Sequence, residues 1–339
     1  MELKEIYSNA REKMKGYCRV CPECNGIACA GEVPGMGGAG TGASFKSNVE
    51  ELKKVKLVLR TIHNCKNPDS SFELFGEKLD MPIISAPITG SSFNMGGALS
   101  EKEYVDAVME GSLEAGTVAM TGDTADPSMY ITGIEGIKKV NGKGIPIIKP
   151  RENSKIIEKI RLAEEINPMA VGVDIDGAGL VTMALKGQPV GPKTVDELKE
   201  LVKSTKLPFI FKGIMTVEEA EIAVEVGAKA IVVSNHGGRI LDHTQGVAKV
   251  LPQIADKVKG KITILADGGI RSGIDVFKML ALGADAVLIG RPVIIGAYGG
   301  YSKGVETVLT NMKNELIKAM ILTGCKDISS IDKTKIVIE

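Results

Sequence analysis

From about residue 80 onward the chain repeats one pattern eight times: a short apolar run, then a segment of helical character. The runs lie at 82–86, 117–120, 146–149, 170–174, 208–212, 230–234, 263–266 and 286–289. They are rich in Val and Ile and show little polar alternation, as expected of parallel strands buried on both faces. Helical patterns at 101–115, 154–165, 194–204, 216–226 and 273–282 separate them. Thr194 and Thr216 each precede an acidic first turn, which suits an N-cap. Two helix-to-strand joints, Val226-Gly227-Ala228-Lys229-Ala230 and Leu282-Gly283-Ala284-Asp285-Ala286, are near copies with glycine at the helix C-cap. Eight strands alternating with helices predict an α/β fold of the (β/α)8 TIM-barrel type, closed by a C-terminal helix at 305–322. A doubly wound open sheet fits less well, because the early Gly-x-Gly-x-x-Gly string at 35–40 follows no apolar strand run.

A barrel gathers function where its strands end. Pro87, Asp174, Lys212, Ser234, His236, Asp267 and Arg291 all fall at those ends. The run Ala230-Ile231-Val232-Val233 leads into Ser234-Asn235-His236-Gly237-Gly238-Arg239, which sets a base three residues from a fixed cation. That pairing suits proton abstraction from an anionic substrate. The chain has only three histidines, so the placement is informative. After the seventh and eighth strands come Asp267-Gly268-Gly269-Ile270-Arg271 and Gly290-Arg291-Pro292. Glycine amides and arginines in these two loops predict a phosphate site. Lys212 needs an anionic partner in the barrel mouth, either a cofactor or Asp174 or Asp267.

Residues 1–45 read as a Cys/Gly-rich N-terminal extension lying on the barrel, toward its mouth, with the barrel domain at 46–339. Cys18, Cys21, Cys24 and Cys29 follow a C-x2-C-x2-C-x4-C spacing. Four thiolates so close suit an iron–sulfur cluster or a structural zinc, with free thiols as the third alternative. Cys65 and Cys325 read as small buried apolar residues. Gly35-Met36-Gly37-Gly38-Ala39-Gly40 lacks the strand and lysine of a nucleotide loop and reads as a flexible approach to the barrel. Acidic and basic residues balance at 42 each, which argues against nucleic acid as a partner. No apolar run reaches membrane-spanning length and the charged N-terminus is unlike a signal peptide, so a cytoplasmic protein without a membrane partner is expected.

The strings LPFIFKGIMTVEEAEIAVEVGAKAIVVSNHGGRILDHT, ILADGGIRSGIDVFKMLALGADAVLIGRP and MILTGC, with MPIISAPITG earlier, closely resemble the FMN-dependent 2-hydroxy acid oxidase and dehydrogenase family. The likeness is weak between residues 100 and 200 and essentially absent in the first 45. It implies FMN as cofactor and a small anionic substrate oxidised to the 2-oxo acid. By this resemblance His236 is the base, Asp174 orients it, and Arg239 binds the substrate carboxylate. Lys212 faces the flavin, while Ser234 and Asp267 hold it and its ribityl chain. Gly268, Gly269, Arg271, Gly290 and Arg291 hold the phosphate, and Pro87, Ile88 and Thr89 line one flavin face. A homotetramer is also implied; the electron acceptor is not.

Three departures from the family pattern matter. A second substrate arginine after the fourth strand is missing, as is a tyrosine in the N-terminal part. Lys149-Pro150-Arg151 replaces Gln-x-Tyr after the third strand. Lys149, expected at the cofactor, or Arg151, expected at the substrate, is the candidate to offset the absent arginine. The same departures keep open a non-oxidative FMN isomerase or a different anionic substrate, and the cysteine cluster keeps open a metal- or redox-sensing protein.

Overall fold

The computed structural model describes residues 1–339, the side chains at positions 181 and 182 excepted. Eight parallel strands close into a barrel: β1 (Ile83–Ile88), β2 (Ala119–Thr121), β3 (Gly144–Ile148), β4 (Val171–Asp174), β5 (Phe209–Ile214), β6 (Ala230–Val233), β7 (Thr263–Ala266) and β8 (Ala286–Ile289). Each pairs with its sequence neighbours, and β8 returns to β1 through Val287↔Ile83. The expected TIM barrel is therefore the fold. Boundaries differ from the sequence reading by one to two residues, because apolar content marks burial rather than ladder pairing.

Helices are α1 (Leu3–Lys13), α2 (Ala43–Lys54), α3 (Glu101–Glu114), α4 (Pro127–Lys139), α5 (Asn153–Glu164), α6 (Val195–Lys203), α7 (Val217–Glu225), α8 (Val247–Val258), α9 (Gly273–Ala281) and α10 (Arg291–Thr323). Thr194 caps α6 in a reciprocal box with Glu197, and Thr216 caps α7 through the Glu219 amide. The glycines of the two repeated joints sit at φ +89° and +119°, so each turns the chain where a side chain would be strained. The last helix starts at Arg291 rather than at 305 and breaks at Gly300–Tyr301, where φ and ψ leave the helical region.

Strand side chains alternate between two apolar layers. Ile84, Ile145, Ile147, Ile210, Val232, Leu265 and Leu288 pack together inside the barrel. Their neighbours Ile83, Val173, Phe211, Ile231, Ile264 and Val287 face the helices. Both layers are closed to water, which explains why the strands read as unbroken apolar runs.

The first 45 residues do not form a separate body. Ile6 and Ala10 of α1 and its C-cap residue Met14 are fully buried in the core shared with α10, and the Asn9 amide donates to the Gly299 carbonyl at 3.1 Å. The boundary expected at residue 45 falls inside α2. Asp242 accepts hydrogen bonds from the Thr41 and Ala43 amides, anchoring the start of α2 to the loop after β6. Buried Asn48 of α2 donates to Asn235 at 2.7 Å and accepts from the Val247 amide at 3.0 Å. The helix thus ties together the loop after β6 and the start of α8.

That packing also accounts for the Gly268-Gly269 pair. Both residues have positive φ, and a Cβ on Gly269 would meet the Asn48 carbonyl oxygen at 2.4 Å. The close approach these glycines allow is to α2 as well as to any ligand. A Gly269→Ala variant combines backbone strain with an overpacked contact and is expected to lose roughly 2–5 kcal/mol. Thermal and denaturant unfolding of the variant check this; a loss under about 0.5 kcal/mol contradicts it.

Candidate active site

Strand parity delivers the polar groups to one ring. The inward series Ile147, Gly172, Ile210, Val232, Leu265 and Leu288 continues two residues later as Lys149, Asp174, Lys212, Ser234, Asp267 and Gly290. Above this ring opens a cavity of about 760 Å³, measured to its mouth. Pro87 and Ile88 form one wall, Gly268, Gly269, Gly290 and Arg291 another, and Lys212, His236 and Arg239 reach in between.

Asp174 is buried and holds several cations at once. Its carboxylate lies 3.0 Å from Lys212 Nζ and 2.5 Å from Lys149 Nζ. Asp174 and Lys212 sit opposite each other in the β4–β5 ladder, so backbone register sets this pair. Burial alone would raise the Asp174 pKa, but His236, Lys149 and Lys212 outweigh it and hold the carboxyl well below the usual carboxylate range. Burial likewise opposes the charge on Lys212, and Asp174, Asp176 and Asp267 together overcome it and raise its pKa. Lys149 and Lys212, both expected at the cofactor, thus have a protein partner in Asp174; of the two, only Lys212 lines the cavity.

His236 stands at φ +59°, a left-handed conformation uncommon for a residue with a side chain. Ser234 Oγ accepts from its backbone amide at 3.0 Å, and Gly237 and Gly238, both at positive φ, continue the turn. The ring Nδ1 lies 3.0 Å from Asp176 Oδ1 and 3.6 Å from Asp174 Oδ1. A carboxylate only accepts, so Nδ1 carries the proton and donates to Asp176. Nε2 has no hydrogen-bond partner among the described residues. The hydrogen bond goes to Asp176, which the sequence reading did not name, while Asp174, the expected partner, stands at ion-pair distance from the same ring nitrogen. A short 3₁₀ turn, Ile175–Gly179, carries Asp176 back over the strand ends, with Gly213 leaving room beneath it.

Arg239 is charged and faces no carboxylate among the described residues. It donates to the carbonyls of Gly35 and Gly37 and, at 3.0 Å, to Asn94 Oδ1. Loss of water pushes its pKa down to about 10, so it remains cationic at neutral pH. Arg291 is similar: it donates to Met36, Gly37 and Gly237 carbonyls and lies 3.8 Å over the Phe45 ring. Burial, then repulsion from Arg271, pushes its pKa down to about 9. Arg271 Nη2 and Asp267 Oδ1 are buried without a partner. The other Asp267 oxygen accepts from Ser234 Oγ at 2.8 Å, and burial raises the pKa of this carboxyl despite Lys212.

Three further expectations are corrected by placement. Arg151 donates to Asp123, Gln188 and the Thr124 carbonyl in a buried cluster outside the mouth, so its guanidinium is already matched. Thr89 bonds Glu101 and does not line the cavity, unlike Pro87 and Ile88. Lys149, turned to Asp174, does not replace the missing arginine either. Sequence reasoning also missed residues that do line the mouth: Gly35, Met36, Asn94 and Met95. The glycine run 35–40, read as a flexible approach, is folded against the mouth and hands its carbonyls to the arginines. Only the clustering of Gly residues hinted at so close an approach.

The mouth holds positive charge without counter-anions at one end and an unbonded carboxylate oxygen in its wall. A phosphorylated cofactor with hydroxyls on its linking chain satisfies both. Fold and site together define a barrel enzyme built for a phosphorylated cofactor. Comparison with known proteins agrees. The model of the FMN-dependent dehydrogenase family matches residues 35–180 and 180–338. The chain is 31% identical to L-lactate oxidase of Lactobacillus jensenii, covering 85% of this chain and 76% of that protein. It is 30% identical to human 2-hydroxyacid oxidase 1, over 88% and 89% of the two chains. A crystal structure of mandelate oxidase with benzoyl-formic acid superposes with a TM-score of 0.79 at 27% identity, covering 100% of this chain and 98% of that one. The chain belongs to the FMN-dependent dehydrogenase family.

The two aspartates should separate on mutation. Asp174→Asn removes the charge that faces two lysines and is expected to cost roughly 3–5 kcal/mol of stability. Because the folded-state carboxyl is depressed, its contribution is complete above about pH 4 and vanishes as pH falls through its folded pKa. Unfolding curves from pH 7 downward should therefore show a smaller acid loss in Asp174→Asn than in the parent. Asp176→Asn should fold normally and bind FMN, yet lose roughly 10²- to 10⁴-fold in kcat. Equal unfolding curves for the parent and Asp174→Asn contradict this division of labour.

Proposed function

We propose that the protein oxidises a small 2-hydroxy acid to the corresponding 2-oxo acid. The observation that carries this reading is the pairing of His236, with a free Nε2 and a carboxylate on Nδ1, beside Arg239, a cation with no carboxylate of its own. Arg239 binds the substrate carboxylate and fixes the carbon bearing the hydroxyl toward His236. His236 Nε2 accepts the proton, and Asp176 stabilises the resulting imidazolium. Asp174 holds Lys212 at the ring and adds negative charge behind the imidazole. FMN, when bound, supplies the two-electron acceptor. Asp267 and Ser234 fit its ribityl hydroxyls, and Arg271, Arg291 and the glycine loops fit its phosphate. Pro87 and Ile88 form the apolar wall along one face of the ring system.

Substrate anion recognition differs from the family pattern. Lys149 and Arg151 are engaged elsewhere, so Arg239 carries the carboxylate, supported by the polar edge of Asn94. A lone arginine favours a compact anion over one that needs two clamps. This assignment concerns the substrate class; relatives named for lactate, mandelate and general 2-hydroxy acids bracket it without selecting one.

The test is anaerobic. Purified FMN-loaded protein mixed with lactate, glycolate or mandelate should lose its oxidised-flavin absorbance and release the 2-oxo acid. Arg239→Leu should raise KM and lower kcat/KM by at least about 30-fold while FMN content is unchanged. Absence of bleaching with every 2-hydroxy acid in a panel, or turnover without net flavin reduction, overturns the oxidative reading.

A further inference from the structure

The four N-terminal cysteines take no part in the site above, yet they share a cavity. Cys18, Cys21, Cys24 and Cys29 all line one pocket, about 470 Å³ including its opening, immediately behind the barrel mouth. All four are free thiols and half-buried. Met36 and Arg291 belong to the walls of this cavity and of the mouth alike. We propose that these four thiolates bind an iron–sulfur cluster. The assignment is independent of which substrate the barrel oxidises.

Spacing decides between a single ion and a cluster. Zinc binds thiolates at about 2.3 Å in a tetrahedron, which puts its four sulfurs roughly 3.8 Å apart. Among the described residues, no three cysteine sulfurs lie within 4.8 Å of one another; the only group meeting that limit is Asp174, Asp176 and His236. The thiols surround a space instead of converging on a point. An iron–sulfur cluster places its Cys ligands on the outside of a multi-atom cage and needs that wider arrangement.

Charge and hydrogen bonding support the same occupant. A cluster with four thiolates is anionic, and Arg291 supplies a cation with no carboxylate partner in its wall. The Val20 amide already donates to Cys18 Sγ at 3.4 Å, an interaction of the kind that tunes cluster sulfurs. The loop is held in place without a metal. Arg11 donates to the Val20 carbonyl at 2.9 Å and Arg271 to the Cys24 carbonyl at 3.3 Å. Gly37 is packed so tightly that a Cβ would lie 1.9 Å from the Cys29 carbonyl oxygen. A ligand set fixed before the metal arrives costs little ordering on binding.

The experiment uses the full chain, purified without oxygen and loaded with FMN. Iron and acid-labile sulfide should be present in equal amounts per chain. Dithionite reduction should give an electron paramagnetic resonance signal distinct from that of flavin. The double variant Cys21→Ala/Cys24→Ala should lose essentially all iron and sulfide and keep its FMN, while Cys65→Ala keeps all three. Should the double variant fail to fold, metal analysis of the parent still decides. One zinc per chain without sulfide overturns the proposal, as do four reactive thiols with no metal after anaerobic iron and sulfide reconstitution. Iron retained by a folded double variant overturns it as well. Flavin content is read in every sample, so failure of the cluster and failure of the flavin reading are distinguishable.

Discussion

The Asp174 carboxylate is the point on which the mouth is organised. It is buried at the end of β4, in register with Lys212 on β5, and it also takes Lys149 from β3. A charge in that position is tolerated only because cations surround it. In return it fixes two lysines, places negative potential behind His236, and joins three neighbouring strands at their functional ends. Lys212 is held poised at the cavity by this pair, and no substrate or cofactor is needed to keep it there.

The second organising feature is the N-terminal segment. Its carbonyls at Gly35, Met36 and Gly37 accept from Arg239 and Arg291, so these guanidiniums keep hydrogen bonds while their charge stays unmatched. An arginine whose donors are partly satisfied by neutral oxygens is oriented without being neutralised, which suits the capture of an anion. The glycines matter here for a steric reason: Gly38 and Gly238 meet Phe45 and α2 at distances that leave no space for a side chain. The same segment carries the four cysteines to the rear of that wall, so cysteine cavity and barrel mouth share Arg291.

Much of this was legible in the residues. Eight apolar runs gave the closed barrel, and the ends of those runs put Lys212, Ser234 and Asp267 at its functional end. His236 and Arg239 were found from their place after the sixth run. Other readings failed for identifiable reasons. Asp174 was expected on the imidazole and lies at ion-pair distance from it, but a 3₁₀ turn adds Asp176 as the hydrogen-bonded partner, and turn geometry is not readable from one aspartate pair. Arg151 was expected at the substrate, but Asp123, distant in sequence, neutralises it. Asn94 and Met36 carried no signal at all, since their role comes from chain segments folding over the barrel.

The sequence by itself determined the alternation of strand and helix, the placement of polar residues at the strand ends and the supply of arginines in the loops that follow them. Those are local properties: apolar period, capping residues and residue type at a strand terminus. Only the tertiary structure decided which carboxylate meets which base, which cations remain free, and that residues 1–45 share the barrel core. These depend on distances between segments far apart in the chain, and a few ångströms there separate a neutralised charge from one left open to a ligand.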